Sequence, residues 1–563
     1  MKNVLRLSVV LLLFAAISSC SKKAPEQIKH IPKEASVVFG ISPQRMQDKL
    51  EKSNINFDSL MRQIMSSSEG DSENITLDDI KNSGIDFSND FYIFVNQKGS
   101  IMTPRSTETG VVGVLKSASS FEAFLKKHKQ DLQVQKGKGY SYAATKDGAV
   151  VGWRDDLFIV ANVSSAAEMN FNDNSSNPNP SATTQSTALL TGLFDLNESS
   201  SIADIDEFKK LTDQKSDMLF WSNSSSAFSN IPFVGMTKAA DLFKDMYSAG
   251  TIDFQDGKVE MDTRMYVGKD LKDILDKHNK PKADMDMVVK YPYPVNGFSA
   301  FSFDPKLLVD ILKYIGADPT INQFLQQQGL TLDDVTNAFS GDFAVIVSNF
   351  GMTEKANPAY PEMKMSSPDA KFLFNAKVGN TVSYNKVMNA LVQKGFLAKQ
   401  GDEYTLNQSN NGINFGEGFQ MSADNKNILI ASGKDLVDAY RKGNGNANIP
   451  NDVRDLSNSK AFVMYVDIAG MMNSWPRDTS AIANDAINNA RNTFKDVIIT
   501  AENFDGKSIH GLFNLRTMNN KENSLATLVK YISSTASSLK TERKSEDMMP
   551  MPPSADSSSG DTK

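Results

Sequence analysis

The 563-residue chain carries 60 Lys and Arg against 67 Asp and Glu, a formal net charge of −7, and is 40% hydrophobic with 33 Phe and 25 Met. This acidic balance, with basic runs as short as Lys126-Lys127-His128-Lys129 on one helix-like segment, excludes a nucleic-acid binder, which needs a basic stripe with interleaved aromatics. Cys20 is the only cysteine, so burial alone must hold the fold, and the length exceeds what one hydrophobic core usually supports. Two or more domains are expected.

At the N-terminus, Lys2 and Arg6 precede an apolar run from Leu7 to Ile17 that is too short to cross a bilayer as an ordinary helix. Ser18 and Ser19 are small residues of the kind a signal peptidase accepts. Ile17-Ser18-Ser19-Cys20 resembles the bacterial lipobox, which implies that Cys20 is diacylated with palmitate-type chains and becomes the new N-terminus. Residues 1–19 are then a lipoprotein signal peptide, and the mature chain keeps 58 basic against 67 acidic residues, a formal charge of −9. Residues 20–29 read as a tether, disordered over Ser21 to Gln27. Ser21-Lys22-Lys23 lacks an acidic export run, and no aspartate follows Cys20, which points to the periplasmic face of a Gram-negative outer membrane rather than the cell surface.

Past the tether, one pattern of elements occurs twice. Val37-Val38-Phe39-Gly40-Ile41-Ser42-Pro43 matches Ser299-Ala300-Phe301-Ser302-Phe303-Asp304-Pro305, each a strand, a capping residue and a proline opening a helix. The helix after Pro305 places Leu307, Leu308, Ile311, Leu312 and Ile315 on one face, with Asp310 and Lys313 opposite; Met46 and Leu50 echo it. Ile75-Thr76-Leu77-Asp78-Asp79-Ile80 matches Leu330-Thr331-Leu332-Asp333-Asp334-Val335, and strands Phe91 to Val95 and Phe343 to Val347 follow. Val112-Gly113-Val114 and the helix Phe121 to Lys127 face Phe372 to Val378 and the helix Tyr384 to Val392. Trp153 to Ala161 and Met421 to Ala431 read as hairpins turning at Arg154-Asp155-Asp156 and Asp424 to Asn427. Met218 to Trp221 matches Phe462 to Tyr465, and the turn signals Asp256-Gly257-Lys258 and Asp505-Gly506-Lys507 precede closing helices with Leu271, Ile274 and Leu275 or Leu525, Leu528 and Val529.

The expected fold is therefore α+β, with two tandem homologous domains, each an antiparallel sheet with packed helices. Copy 1 spans residues 30–278 with a disordered insert near 170–187, a linker spans 279–290, and copy 2 spans 291–533. The polar, proline-bearing linker character continues to Pro294, and the Ser-rich composition of 541–563 marks a disordered tail.

Residues patterned for chemistry are sparse. His30, His128, His278 and His510 are scattered and there is no second cysteine, so no metal residue is assigned. Asp78-Asp79 and Asp333-Asp334 are paired carboxylates suited in principle to acid–base work, but Thr-Leu-Asp-Asp before an apolar residue resembles a helix start. Ser457-Asn458-Ser459-Lys460 meets a Ser-x-x-Lys pattern as any Ser-rich chain can. Gly137-Lys138-Gly139 and Gly443-Asn444-Gly445 lack the further residues of a phosphate loop and read as turns. Trp153, Trp221, Trp475 and Tyr291-Pro292-Tyr293-Pro294 suit core or linker packing, with sugar stacking or an apolar groove as the alternative. No catalytic residue and no cofactor are assigned; Cys20 is the one site residue.

The lipobox, the opening Ile31-Pro-Lys-Glu-Ala-Ser-Val-Val-Phe-Gly-Ile41 and the two tandem copies together resemble a family of uncharacterised bacterial envelope lipoproteins, a domain of unknown function. The resemblance implies a fold and a location and no activity. The expected function is a lipid-anchored, noncatalytic envelope module that binds an envelope protein partner or a small ligand through its domain surfaces or the cleft between copies. The alternative is an envelope hydrolase whose carboxylate or serine residues assemble in a pocket.

Overall fold

The computed structural model describes residues 25–67, 75–99, 104–129, 132–145, 148–165, 180–223, 238–356, 360, 362, 364–401, 403–407, 419–456, 459–475 and 481–547. The leader, Cys20 and Ser21 to Lys23 lie outside them, as do 170–179 of the expected insert and 548–563 of the expected tail. The chain divides into two compact units. The first takes Met1–Asp253, Met261–Asp276 and Gly506–His510; the second takes Phe254–Glu260, Lys277–Asp505 and Gly511–Lys563.

The strands of the first unit are β1 (Val37–Ile41), β2 (Phe91–Gly99), β3 (Pro104–Val114), β4 (Gln135–Lys136), β5 (Ser141–Ala144), β6 (Val150–Arg154), β7 (Leu157–Ser165), β8 (Met218–Asn223), and most of β9 (Tyr247–Gln255) and β10 (Lys258–Tyr266), whose hairpin tip Phe254–Glu260 belongs to the second. Those of the second are β11 (Val295–Ser302), β12 (Phe339–Ala356), β13 (Lys364–Val378), β14 (Leu397–Gln400), β15 (Glu403–Leu406), β16 (Gln420–Ala423), β17 (Asn427–Ala431), β18 (Phe462–Val466), β19 (Phe494–Ala501) and β20 (Ser508–Thr517), of which Ser508–His510 fall in the first unit. The order across the first is β4-β5-β6-β7-β3-β2-β1-β8-β9-β10. Across the second it is β14-β15-β16-β17-β13-β12-β11-β18-β19-β20, the same path element for element. Antiparallel pairing with helices between strand groups makes the fold α+β.

Alternation along the central strands decides where the core lies. In the first unit Val38, Tyr92, Phe94, Leu219 and Trp221 share one closed face. It is covered by Ile28, by Leu190 and Leu193 of the Pro180–Phe194 helix, and by Phe208 and Leu211 of the Asp206–Thr212 helix. In the second, Phe298, Ala300, Ile346, Val463 and Tyr465 meet Met287, Val288, Leu436, Val437 and Tyr440. Gly110 pairs with Phe94 across the ladder, and a Cβ there would overlap the Phe94 ring, so only glycine lets that ring lie flat over β3.

Both Thr-Leu-Asp-Asp runs form complete capping boxes, Thr76 with Asp79 and Thr331 with Asp334. Each capping aspartate also meets a lysine from a later helix, Lys127 and Lys386, at 2.5 Å. The hairpins turn where the acidic and amide residues mark them: Arg154 pairs with Leu157, and Ala423 with Ile428. At Asp256-Gly257 the loop has two residues, and Gly257 has φ +73 with its Cβ direction blocked by the backbone of Asn520.

Several expectations need correction. Residues 180–187 of the insert are helical, because Ser186, Leu190 and Leu193 are buried and the Thr187 hydroxyl donates to the Thr183 carbonyl. Residues 541–547 continue the Ser524–Asp547 helix beyond the expected end of copy 2. The end of the tether is structural: Gln27 and Ile28 are buried in the 3-10 helix Glu26–His30. So is the linker, where Ala283, Met285, Met287 and Val288 enter the second core. Leu308 of the expected apolar stripe is 47% exposed whereas Val309, outside it, is buried, and the helix meets the Asp318–Gln326 and Leu332–Asn337 helices. Ser42 makes no side-chain cap, its hydroxyl bonding Asp90 instead, whereas Asp304 accepts from the Lys306 amide at 3.0 Å. Finally, Ile41 pairs with Phe91 and Met218 as Phe301 pairs with Phe343 and Phe462. The matching of Phe39 to Phe301 is thus off by two residues, a slip that keeps every side chain on its face.

Thr76→Ala and Thr331→Ala should each lower stability by about 1 kcal/mol in chemical denaturation, the usual effect of losing an N-cap. Gly257→Ala should lower it by more than about 1 kcal/mol, since positive φ and the Asn520 backbone both oppose a Cβ.

Candidate functional site

Most of the side chains that sequence offers for chemistry are engaged elsewhere. Lys127 and the Thr76 groups hold the Asp79 carboxyl well below the usual range, and Lys386 does the same for Asp334. His30 Nδ1 lies 2.8 Å from the Leu193 carbonyl, and burial pushes its pKa down. His128 faces Asp79 at 3.5 Å, His278 faces Asp304 at 3.5 Å and Asp310 at 3.1 Å, and His510 faces Asp262 at 3.1 Å. Among the described residues, no three His, Cys, Asp or Glu side chains gather as a metal site. No described helix is long and apolar enough to cross a membrane.

Trp153 packs edge-on to Phe121, and Trp221 stacks on Tyr247 at 4.3 Å, both in cores. Tyr291 is fully buried with its hydroxyl 2.7 Å from Ser348. Lys371 lies 4.5 Å over the Tyr293 ring, and Trp475, 37% exposed, packs on Phe350. Gly139 and Gly443 have positive φ, Gly443 closing the Lys434–Lys442 helix as turn glycines do. Lys460 pairs with Glu502 at 2.5 Å, while Ser457 and Asn458 lie outside the described residues.

Among the described residues, two further polar constellations bear on function, and sequence reading assembled neither. The first surrounds Asp217, which is fully buried in the first unit. Lys49 pairs with its carboxylate, Arg45 Nε lies 3.6 Å away, and its backbone amide donates to Asp253 at 3.2 Å. Its carbonyl accepts from the Ser42 amide at 2.9 Å. Burial pushes the Asp253 carboxyl up, reinforced by the Asp217 charge, and burial also raises Asp90. These groups come from the Pro43–Lys52 helix, the start of β2, the start of β8 and β9, up to 168 positions apart in the case of Lys49 and Asp217. They tie the helix to the sheet.

The second is a cleft of about 300 Å3 in the second unit. Asn489, Asn492 and Thr493 line it from the Ala481–Thr493 helix; Asn519 and Glu522 follow β20; Thr527, Lys530, Tyr531 and Ser534 stand on the Ser524–Asp547 helix. Lys530 pairs with Glu522, and the Thr527 hydroxyl lies 3.2 Å from Glu522. Asn519 accepts from the Lys521 amide at 3.1 Å, and Phe494 meets Tyr531 edge-on at 5.0 Å. Among the described residues, none hydrogen-bonds the side chains of Asn489 or Asn492. The one sequence signal for this cleft is the density of asparagine in Ala481–Thr493, a residue with weak helix preference.

The fold and its polar clusters thus define an α+β protein of two units that share one strand order. The chain belongs to the family described as "Domain of unknown function (DUF4836)", whose model matches residues 28–413. Among solved structures it is similar to crystal forms I and IV of TP0453, each at 11% identity and a TM-score of 0.24. These matches cover 44% and 46% of this chain and 81% and 86% of theirs. No curated protein matches it.

Asp217→Ala should destabilise the protein by roughly 2–3 kcal/mol, because Lys49 and Arg45 lose a desolvated partner while keeping some access to water. The raised Asp253 carboxyl sets a pH signature. Between its unfolded and its higher folded pKa the native state binds more protons, so stability falls as pH rises through that window. Denaturation of wild type and Asp253→Asn from pH 7 downward should therefore show wild type gaining on the variant as acid protonates Asp253.

Proposed function

We propose that the protein is a lipid-anchored component of the bacterial cell envelope, held through Cys20 to the periplasmic face of an outer membrane, where it binds a partner or ligand without catalysis. The observation that carries the binding half of this reading is the polar cleft of the second unit, whose Asn489 and Asn492 amides are unengaged by the described residues. The carboxylates that sequence nominates for acid–base work support it too, because Asp79 and Asp334 are tied up in capping boxes. The common strand order of the units supports an origin by internal duplication, with one copy free to specialise as a binding surface. Anchoring rests on the charged, apolar and small-residue sequence that ends at Cys20.

A hydrolase is the second reading, favoured by the convergence of Ser42, Asp90, Asp217 and Asp253 in the first unit. The lysine bonded to Asp217, with the Arg45 guanidinium 3.6 Å away, suits a structural tie better than a general base, which must be free to take a proton.

Cells grown with an alkyne-tagged palmitate should label the full-length protein, which should sediment with membranes and survive protease treatment of intact cells. Cys20→Ala should lose both label and sedimentation. An unlabelled wild type, or a Cys20→Ala protein still in the membrane fraction, would overturn the anchoring. Ester, amide or glycoside hydrolysis lost on Asp253→Asn would overturn the noncatalytic reading.

A further inference from the structure

We infer that the cleft of the second unit binds a neutral, polyhydroxylated ligand, a segment of saccharide chain. The inference rests on the noncatalytic binding reading above and gives it a ligand class. Charge comes first. Among the described residues of the lining, Glu522 and Lys530 are the only ionised groups, and they pair with each other, so these walls carry no net charge. An anion such as a phosphate gains no clamp here, because the one cation is already neutralised, and a cationic ligand finds the one carboxylate taken.

What the lining offers in quantity is neutral hydrogen bonding. Asn489 and Asn492 are three positions apart on one helix and so stand side by side, roughly 5–6 Å between Cβ atoms. Each amide presents a donor and an acceptor, and neither is satisfied by the described residues. Asn519 adds an amide whose oxygen serves the Lys521 backbone and whose nitrogen is left to donate. A pair of adjacent sugar hydroxyls, each both donor and acceptor, is complementary to such an amide, whereas an apolar ligand would strand these groups at a desolvation cost. Tyr531 completes the set, an aromatic ring in the lining held against Phe494 at 5.0 Å, of the kind that stacks on the C–H side of a pyranose, with a hydroxyl that can donate or accept. At about 300 Å3 the cleft lies at the low end of ligand pockets, so it holds part of a chain with the rest in solvent.

The test is calorimetric titration of the full-length, detergent-solubilised protein with maltotetraose, cellotetraose and chitotetraose, and with tetra-alanine as a polar probe that is not a sugar. At least one saccharide should bind, and the double substitution Asn489→Ala and Asn492→Ala should weaken it about tenfold or more, the loss of one or two net hydrogen bonds. Tyr531→Ala should weaken it similarly, while Tyr531→Phe, which keeps the packing on Phe494, should retain most of the affinity. Absence of binding by all three saccharides at millimolar concentration would overturn the inference. So would saccharide binding that survives the double substitution, or tetra-alanine binding as well as the sugars. None of these outcomes touches the Cys20 fractionation, so failure of the ligand class and failure of the anchored-module reading are separately visible.

Discussion

The face of β2-β1-β8 that carries Val38, Tyr92, Phe94, Leu219 and Trp221 is closed to water, as is the face of β12-β11-β18 that carries Phe298, Ala300, Ile346, Val463 and Tyr465. With one cysteine in the chain, no disulfide can share this task, and each such side chain contributes roughly 1.5–3 kcal/mol by burial. Every cover must therefore be apolar and well seated. This explains why segments that look like spacers are structural: Ile28 seals one core and Met287 and Val288 the other, and each brings backbone polar groups that need partners. The Tyr440 hydroxyl meets that need by donating to the Met287 carbonyl at 2.7 Å.

Charge is handled by pairing. Asp217 with Lys49 joins elements distant in sequence, and Asp496 with the Arg516 fork at 2.5 and 2.6 Å ties the consecutive strands β19 and β20; both place buried carboxylates against cations. The capping aspartates repeat the idea at the surface, where Lys127 and Lys386 each link a later helix to a helix start. Groups so engaged are poorly placed to receive a ligand. In the cleft beside Asn489 and Tyr531 the groups left open are neutral amides and hydroxyls.

Sequence exposed the parts of this arrangement that are local. Alternation and turn residues located the central strands and hairpins, and Thr-Leu-Asp-Asp announced both capping boxes, because these depend on neighbours within a few positions. It failed where tertiary burial overrules composition. Thr183 and Thr187 look like part of a polar insert, yet their helix is fixed by burial of Leu190 and Leu193 and by hydroxyl-to-carbonyl bonds such as Thr187 to Thr183. Phe303 and Asp304 add two residues between β11 and its helix, invisible to a pattern of period two. The Asp217 cluster and the cleft were beyond reach, since each is built from segments that only the sheet order brings together.

Hydrogen–deuterium exchange of the full-length protein, read by mass spectrometry, bears most directly on the claim that two closed sheet faces of one strand order hold the molecule. Peptides from β1, β2 and β8 and from β11, β12 and β18 should form the two slowest-exchanging groups, with the Glu26–His30 and Asp286–Val289 segments protected alongside them. Rapid exchange in either strand set, or in those two covering segments while the strands stay protected, would contradict the account.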